Sequence, residues 1–445
     1  MRKARKKILM FLAGALLLSL SACSAQSEDA VQGIAPSATV AGEILTENVP
    51  NTETGVEEAE GTEMAGAAEA LTETGAGNGI LTGEGAGLLS EEQQRLIADY
   101  MDAYFDSVSA LEIDAGLAEL FAEPDGLQAW MNEKGLEYLI GIRSLQPTDL
   151  TLASYYYELS VTEVNEADDG SVEVLAEEWN RQNFTQHPQV DSEQYGISHR
   201  FVLTGQNGEW KIQEHLQRDG IYWHLFGEYW GQPVEDIPDA RNYLQERVDA
   251  LVEETQAQLG SWEEGTTTAS PQYENAYDAE AAVAYAGEWV GRRNEEWADY
   301  SGRGGNCQNF VSQCLLAGGI PMDREGNAVW KWYGEDPDNS GSAEGRSPSW
   351  TGVDEFYQYA AENEGFGLVA AVDYAYEEGE AGDLIRLGFP DNWNHVVMIT
   401  DVIRDEEGRT VDYLIDSNTS DMHNFPVSAY PLPCRSLIKI YGWNG

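Results

Sequence analysis

The chain of 445 residues carries 25 Lys and Arg against 78 Asp and Glu, a formal net charge of −53. This charge excludes a nucleic-acid binder, which needs basic surface for phosphates, and excludes adhesion to anionic lipids by charge alone. A hydrophobic content of 42% suffices for folded domains, and the length predicts two or three of them at roughly 150 residues each. Four Cys are too few for a disulfide scaffold.

The first 22 residues have the features of a secretion signal. Basic residues between Arg2 and Lys7 precede an apolar run from Ile8 to Leu20, which is shorter than the roughly 20 residues of a transmembrane helix. The Leu20-Ser21-Ala22-Cys23 segment resembles the lipobox of bacterial lipoproteins. The resemblance implies that residues 1–22 are removed and that Cys23 carries a lipid, which holds the protein on the extracytoplasmic face of the cell membrane.

Residues 23–88 predict a disordered acidic linker. Between residues 24 and 88 there is no aromatic residue, no Lys and no Arg, so the segment cannot bury enough apolar surface to offset the entropy of ordering it. A flexible coil of this length spans roughly 40–50 Å. We expect the linker to let the folded part reach from the membrane toward the cell wall.

Residues 89–260 predict a separate α+β domain. Ser90 and Gln93 form a capping-box pattern that opens a helix, and helical spacing continues to Leu139. From Leu150 the apolar period changes to that of strands separated by turns. Helices followed by an antiparallel sheet resemble, in element order alone, the nuclear-transport-factor-2-like (NTF2-like) fold. A further helix is expected over 239–259.

A fold of that kind often encloses a pocket, and aromatic and histidine side chains in this region are candidates to line it. Aromatic stripes on strands more often belong to the core, and these histidines lack the spacing of metal ligands, so we predict no metal site. The candidates are Tyr155, Tyr157, Trp179, His199, His215, Tyr222, Trp223 and His224.

Residues 261–272 predict a linker and residues 273–445 a C-terminal domain. Asp278 can cap a helix that runs to about Trp297. A second helix follows the Gly304-Gly305 bend, with Cys307 in its first turn and Cys314 further along the same core-facing side. There the helix dipole favours a thiolate, and nearby backbone N–H groups can stabilise an oxyanion. This helix alone allows either a nucleophile or a small buried side chain at Cys307.

A cysteine nucleophile needs a base and a residue that orients the base. His395 begins a predicted strand, whereas His423 lies in a predicted loop and is the weaker candidate. On the strand that follows, Asp416 and Asn418 share one face. We expect Asn418 to orient His395, with Asp416 in reserve.

The segment around Cys307 resembles the bacterial putative amidase domain, which is related to the NlpC/P60 and CHAP peptidases and has a papain-like fold. The resemblance implies that Cys307 is the nucleophile, His395 the general base and Asn418 the third polar residue, supported by Asn306 and Gln308. It rests on Gly304-Gly305-Asn306-Cys307-Gln308-Asn309-Phe310-Val311-Ser312-Gln313, Asn394-His395-Val396 and Asn418-Thr419-Ser420-Asp421.

Three positions depart from that family's pattern. The residue before the Cys is typically Asp and here is Asn306, and the residue after it is commonly Thr and here is Gln308. At Asn418 many members carry His. An Asn there is chemically sufficient, because the position only has to hold the imidazole.

These observations predict a lipid-anchored cysteine amidase or peptidase that hydrolyses amide bonds in cell-wall peptides and needs no cofactor. Its expected partners are a peptide amide substrate and the membrane, the latter through Cys23, and not nucleic acid. The alternative is a non-catalytic lipoprotein that binds cell-envelope material with a papain-like fold. A disulfide between Cys314 and Cys434 also stays open.

Overall fold

The computed structural model describes residues 78–218, 239–259, 270–325, 328–389 and 392–445. These residues lie within a unit that spans residues 57–445. The predicted signal, Cys23, and most of both predicted linkers, at 23–88 and 261–272, lie outside the described residues. In the described part of the chain, no helix has the length and apolar character needed to cross a membrane.

Two long helices and a strongly paired sheet form the first half of the described chain. The capping box expected at Ser90 is confirmed, because its hydroxyl accepts from the N–H of Gln93 while the Gln93 side chain accepts from the N–H of Ser90. The elements are β1 Gly79–Thr82, α1 Glu91–Ala110, α2 Leu127–Leu145, β2 Leu152–Glu166, β3 Val172–Phe184, β4 Ser192–Gln206, β5 Glu209–Arg218 and α3 Ala240–Gln258.

The last residues of the predicted acidic linker contain a strand and a turn. Strand β1 pairs in parallel with β2, from Gly79 opposite Tyr157 to Thr82 opposite Ser160. A 3-10 turn follows over Glu84–Leu88. The prediction of disorder to residue 88 is therefore wrong at its end. Backbone hydrogen bonds to a sheet edge need no large side chains, so a segment poor in apolar residues can still pair there.

The second half alternates short helices with strands. Asp278 caps the first of these helices by accepting from the N–H of Ala281, as expected. That helix ends at Trp289 and not near Trp297, because Gly291 adopts a positive φ of 73°. The elements are β6 Asn275–Ala276, α4 Ala279–Trp289, α5 Cys307–Ala317, β7 Trp332–Tyr333, β8 Gly345–Arg346, α6 Pro348–Thr351, α7 Val353–Glu362, β9 Gly367–Tyr374, β10 Leu384–Phe389, β11 Asn392–Arg404, β12 Thr410–Ser417, β13 Asp421–Pro426 and β14 Cys434–Asn444.

One twelve-stranded sheet runs through both halves. Its main order is β1-β2-β3-β4-β13-β12-β11-β10-β14-β6, with β5 on β4 and β9 on β14. The halves join where β4 pairs antiparallel with β13, and there Glu193 lies opposite His423. The α+β class is confirmed at this coarse level, whereas the NTF2-like and papain-like assignments and the domain boundaries stay predictions.

Three apolar clusters hold the sheet to its helices. The first lies between α1, α2 and the first half of the sheet, and the second between α5 and one face of β11. The third covers the opposite face of the second half and takes Phe184 from β3 against Phe425. Beside it the Tyr138 hydroxyl of α2 donates to the carbonyl of Pro431 at 2.9 Å. The first half therefore supports the segment that follows β13.

Candidate active site

The thiol of Cys307 lies at the first residue of α5. Gly304 and Gly305 bend the chain into this helix with φ angles of 103° and 122°, which L-residues rarely adopt. A Cβ on Gly305 would come within 3.4 Å of the Thr419 hydroxyl. The Cys307 side chain is 5% exposed. The predicted Gly-Gly bend into the helix is therefore confirmed.

Burial decides the protonation state of this thiol. Desolvation raises the pKa of Cys307, and the backbone N–H groups of Val396, Gln308 and Cys307 itself lower it only in part through hydrogen bonds to the sulfur. The expected lowering of its pKa toward a thiolate is therefore wrong for this structure, because burial outweighs the helix terminus. A thiol that stays protonated near neutral pH needs a base when it attacks.

His395 lies on β11, next to Val396, which packs in the same buried apolar cluster as Cys307. It is 7% exposed, and its Nε2 contacts the Tyr430 hydroxyl at 2.7 Å and the Ser417 hydroxyl at 3.0 Å. Burial raises the pKa of Tyr430. The hydroxyls of Tyr430 and Ser417 therefore hold the imidazole of His395.

The side chain of Asn418 is engaged away from this imidazole. Its Oδ1 accepts from Nδ2 of Asn306 at 2.6 Å, and its Nδ2 donates to the carbonyls of Trp289 and Arg292 at 3.3 and 3.1 Å. The amide thus has partners at both ends. The role of Asn418 as the orienter of His395 stays a prediction, and these contacts favour a role in holding Asn306.

Asn306 connects the start of α5 to its surroundings. Its backbone N–H donates to the Thr419 hydroxyl at 2.5 Å, and its Oδ1 accepts from the backbone N–H of Tyr300 and from Nδ2 of Asn309. Its N–H is therefore occupied and does not face a developing oxyanion. Asn306 instead fixes the turn that presents Cys307.

Two of the departures from the family's pattern touch each other. Where the resemblance implies Asp before the Cys and His at position 418, this chain has Asn306 and Asn418 in direct contact. An Asn–Asn pair supplies one donor and one acceptor, as an Asp–His pair does. We therefore expect the two departures to compensate each other.

We expect Asn306→Asp to destabilise the protein by about 2–3 kcal/mol, because a carboxylate would face the Oδ1 of Asn418 without a donor. The side-chain amide of Asn418 cannot rotate to exchange its oxygen and nitrogen, because its Nδ2 donates to two backbone carbonyls. The double variant Asn306→Asp/Asn418→His should recover at least half of that loss, measured by urea unfolding of all four proteins. If the double variant lost as much stability as the two single variants together, the expected compensation would be contradicted.

Asp416, the reserve orienter, serves the other histidine of this half. Its Oδ1 accepts from Nδ1 of His423 and from the N–H of Asn424, both at 2.9 Å. Burial lowers the pKa of His423, but the hydrogen bond to Asp416 and the charges of Asp416 and Glu193 outweigh it and raise that pKa overall. The contacts therefore place Asp416 with His423 and not with His395.

Gln308 occupies the position after the thiol. Its Nε2 donates to the Ser312 hydroxyl at 3.2 Å, and its Oε1 is buried with no hydrogen-bond partner among the described residues. The three described cysteines, Cys307, Cys314 and Cys434, have free thiols. Within the described ranges no three His, Cys, Asp or Glu side chains gather as a metal site would require.

Tyr430 and Ser417 are the site residues that sequence reasoning missed. Ser417 precedes Asn418 on the strand that was already singled out, so its position held a usable signal. Tyr430 lies 35 residues after His395, in a segment with no motif. Only the fold brings its hydroxyl to the imidazole.

Two of the candidate pocket residues, His199 and His215, belong to a buried chain of hydrogen bonds. His215 Nδ1 contacts Oδ1 of Asn132 at 2.7 Å, and His215 Nε2 contacts Nδ1 of His199 at 3.0 Å. His199 Nε2 contacts Oε2 of Glu178 at 2.7 Å. Because Asn132 Oδ1 only accepts, His215 donates there and accepts from His199, which leaves one proton shared by His199 and Glu178.

The other pocket candidates divide between the core and the undescribed residues. Tyr157, His199 and His215 are buried, whereas Tyr155 and Trp179 are half-buried. Tyr222, Trp223 and His224 lie outside the described residues.

We expect the free energy of unfolding to fall as the pH drops below about 6.5. Burial and the charge of His199 place the pKa of His215 well below 6.5, and burial alone lowers that of His187. Unfolding lets each imidazole take up a proton, so each can contribute a slope of up to about 1.4 kcal/mol per pH unit. Urea unfolding between pH 7 and 5.5 measures this slope.

The variant His187→Gln tests the assignment of this slope. It should reduce the slope while leaving the contribution of His215. His423, whose pKa is raised, adds stability below pH 6.5 that is lost at higher pH. An unchanged free energy of unfolding over the whole range would contradict the assignment.

The comparisons with known proteins concern parts of the chain. Residues 276–441 match the family described as putative amidase domain. Protein YhbB of Bacillus subtilis (strain 168), which is uncharacterized, is 33% identical over 125 residues, which are 28% of this chain and 37% of YhbB. The chain thus covers little more than a third of that relative.

Solved structures resemble the chain only slightly. Aln2 from a Streptomyces species has a TM-score of 0.22 and 14% identity, over 29% of this chain and 92% of Aln2. A putative scytalone dehydratase from Novosphingobium aromaticivorans has a TM-score of 0.20 and 16% identity, over 28% of this chain and 83% of its own. These likenesses support no conclusion on fold or function.

The family match and the site coincide in sequence. Cys307, His395 and Asn418 all lie within the matched residues. The C-terminal part of the chain therefore carries an amidase-like domain.

Proposed function

We propose that the protein is a cysteine amidase in which Cys307 attacks an amide carbonyl and His395 transfers the proton. One observation carries the proposal. Cys307 and Val396, the neighbour of His395 on β11, pack in one buried apolar cluster, so the proposed nucleophile lies against the strand that carries the proposed base. The match of residues 276–441 to the putative amidase domain supports amide hydrolysis as the reaction class.

The reaction proceeds through a thioester. His395 removes the proton of the Cys307 thiol as the sulfur–carbon bond forms, and it returns that proton to the leaving amine as the carbon–nitrogen bond breaks. Water then attacks the thioester and gives its proton to His395, which releases the carboxylic acid and restores the thiol.

Side chains around the two reacting groups supply orientation. Tyr430 and Ser417 hold Nε2 of His395. The backbone N–H groups of Cys307 and Gln308 lower the pKa of the thiol, and we propose that they also stabilise the oxyanion. Asn418 acts through Asn306, by holding the turn that presents the thiol. It is a positioning residue and not a direct partner of the imidazole in this proposal.

The substrate class and the location rest on sequence alone. Peptide amides of the cell wall are the proposed substrates, because the papain-like relatives implied by the motif cut such bonds. The lipobox resemblance at Cys23 supports a lipid anchor on the extracytoplasmic face. Incorporation of a palmitate analogue that disappears in Cys23→Ala measures the anchor directly.

A non-catalytic binding lipoprotein is the second candidate, and the state of the thiol favours it. Cys307 is 5% exposed, and burial raises its pKa. A fold that binds envelope peptides without turnover needs neither access to the thiol nor its ionisation.

Digestion of purified cell-wall material distinguishes the two candidates. The wild-type protein should release new amino groups, which mass spectrometry of the products assigns to one bond type. Cys307→Ser should bind the same material and release none. Binding by both proteins with no release from either, over a long incubation, would favour the binding lipoprotein and overturn the amidase.

A further inference from the structure

Arg386 lies on the face of the sheet that meets the thiol. In the pairing of β10 with β11, Arg386 is directly opposite Val396, and Val396 packs in the same buried apolar cluster as Cys307. Directly opposite residues have side chains on the same face, with Cβ atoms about 5 Å apart. The side chain of Arg386 therefore leaves the sheet on the same face as Val396, on the strand next to it.

A bulge in the hairpin brings an aromatic ring to the same face. The register shifts so that Leu387 pairs with His395 and Gly388 with Trp393, which leaves Asn394 as the extra residue. Trp393 consequently lies on the face of Arg386, whereas regular alternation would place it on the other. A Cβ on Gly388 would lie 2.4 Å from the carbonyl oxygen of Asn392, so a glycine there permits this close turn.

Two rings hold the guanidinium of Arg386 in place. Its Cζ lies 3.7 Å from the ring centre of Tyr357 and 4.2 Å from that of Trp393. Such stacking fixes the plane of the guanidinium and leaves its N–H edge for a ligand. The side chain is 8% exposed, so this orientation is built into the fold and is not a surface accident.

The hydrogen-bonding capacity of Arg386 is only partly used. Its Nε is buried with no hydrogen-bond partner among the described residues. One Nη donates to Oδ1 of Asp354 at 3.3 Å, and the Asp354 side chain is 59% exposed. The second nearby carboxylate, Asp373, already accepts from the hydroxyls of Tyr357 and Ser436. A ligand would therefore have to displace only the exposed Asp354.

We propose that Arg386 binds a carboxylate of the substrate beside the scissile amide, so that the enzyme prefers anionic peptides. A guanidinium pairs with a carboxylate through two parallel hydrogen bonds. In a chain of net charge −53, an anionic substrate needs such a local cation because the overall field repels it. This inference rests on the proposed function, since it names the substrate class of the same site.

The test uses pairs of cleaved peptides that differ only in one carboxylate. One pair has Glu or Gln at the same position, and the other has a free or an amidated C-terminus. For wild-type protein the kcat/KM should be at least about tenfold higher for one carboxylate version. Arg386→Gln should remove this preference, so that the kcat/KM values for the carboxylate and carboxamide versions become similar. Asp354→Asn, at an exposed position, should increase the preference several-fold, because the competing carboxylate is gone.

Arg404→Gln is the matched control. Arg404 lies on β11 and pairs with the exposed Glu380, so its loss changes net charge equally without touching the site and should leave the preference intact. Equal loss of activity on both peptide versions in Arg386→Gln, or no response to Asp354→Asn, would overturn the inference.

A binding experiment on an inactive variant tests this inference independently of the proposed amidase activity. Calorimetric titration of Cys307→Ala with the same peptide pairs measures recognition without turnover. Tighter binding of the carboxylate version, lost in Cys307→Ala/Arg386→Gln, supports the subsite even where the wild-type protein releases no amine. Equal binding of both versions would overturn the subsite whatever the wild-type protein cleaves.

Discussion

Replacing Cys307 by Ala is expected to lower amine release from the cleaved substrate by at least about a thousandfold. The change removes the atom that attacks the amide carbonyl carbon in the proposed reaction. Cys314→Ala is the matched control, because it removes the same group seven residues later on α5. Cys314 is fully buried, so its loss should cost about 1–2 kcal/mol of stability and leave kcat within a few-fold.

The thiol offers a second readout that needs no substrate. Burial raises the pKa of Cys307, so alkylation by iodoacetamide should be slow at pH 7 and should accelerate as the pH rises above 9. Mapping of the labelled peptide separates Cys307 from Cys314 and Cys434. Loss of activity in Cys314→Ala but not in Cys307→Ala would assign the nucleophile elsewhere.

His395→Gln is expected to lower kcat by about 10²–10⁴-fold, because the amide cannot take a proton from the thiol or give one to the leaving amine. Gln has a similar size and retains hydrogen-bonding groups for Tyr430 and Ser417, so the fold should survive. Steady-state release of amine, together with the unfolding transition of each variant, separates lost chemistry from lost structure.

His423→Gln controls for the loss of a histidine in the same half. His423 pairs with Asp416 near the junction of β4 and β13, so its replacement should lower stability and leave kcat within a few-fold. A large drop in kcat for His423→Gln, with His395→Gln active, would make His423 the base and His395 a structural residue.

Local sequence patterns were sufficient where neighbouring residues decide the structure. The Gly304-Gly305 bend, the core-facing side of the helix from Cys307 and the strand position of His395 all follow from spacing and backbone preference. Each depends on residues within one or two turns of the site. The sequence therefore predicts the nucleophile and the base, and the structure places them on adjacent elements.

Local sequence patterns could not predict contacts between segments that are distant in sequence. The Asn306–Asn418 hydrogen bond joins residues 112 positions apart, and Tyr430 reaches His395 from 35 positions away. A face shared on one strand predicted that Asp416 and Asn418 could serve His395, but the chosen partners are set by which loops lie opposite. Periodicity carries no information on that choice.

The junction of the halves shows the same limitation. Pairing of Glu193 with His423 links two segments that sequence assigns to separate domains, and the edges of two predicted sheets give no signal of which partner they take. The contact of Tyr138 with Pro431 supports the segment that carries Tyr430. The first half therefore has a structural role in the site, in addition to any ligand of its own.

The most direct test of the central claim is detection of the acyl-enzyme. Wild-type protein mixed with a cleaved peptide amide and quenched in acid should gain the mass of the acyl fragment, and peptide mapping should place that mass on Cys307 as a thioester released by hydroxylamine. His395→Gln should accumulate far less adduct in the same time. Release of amine with no adduct on Cys307, or with an adduct on another residue, would contradict the assignment of Cys307 as the nucleophile.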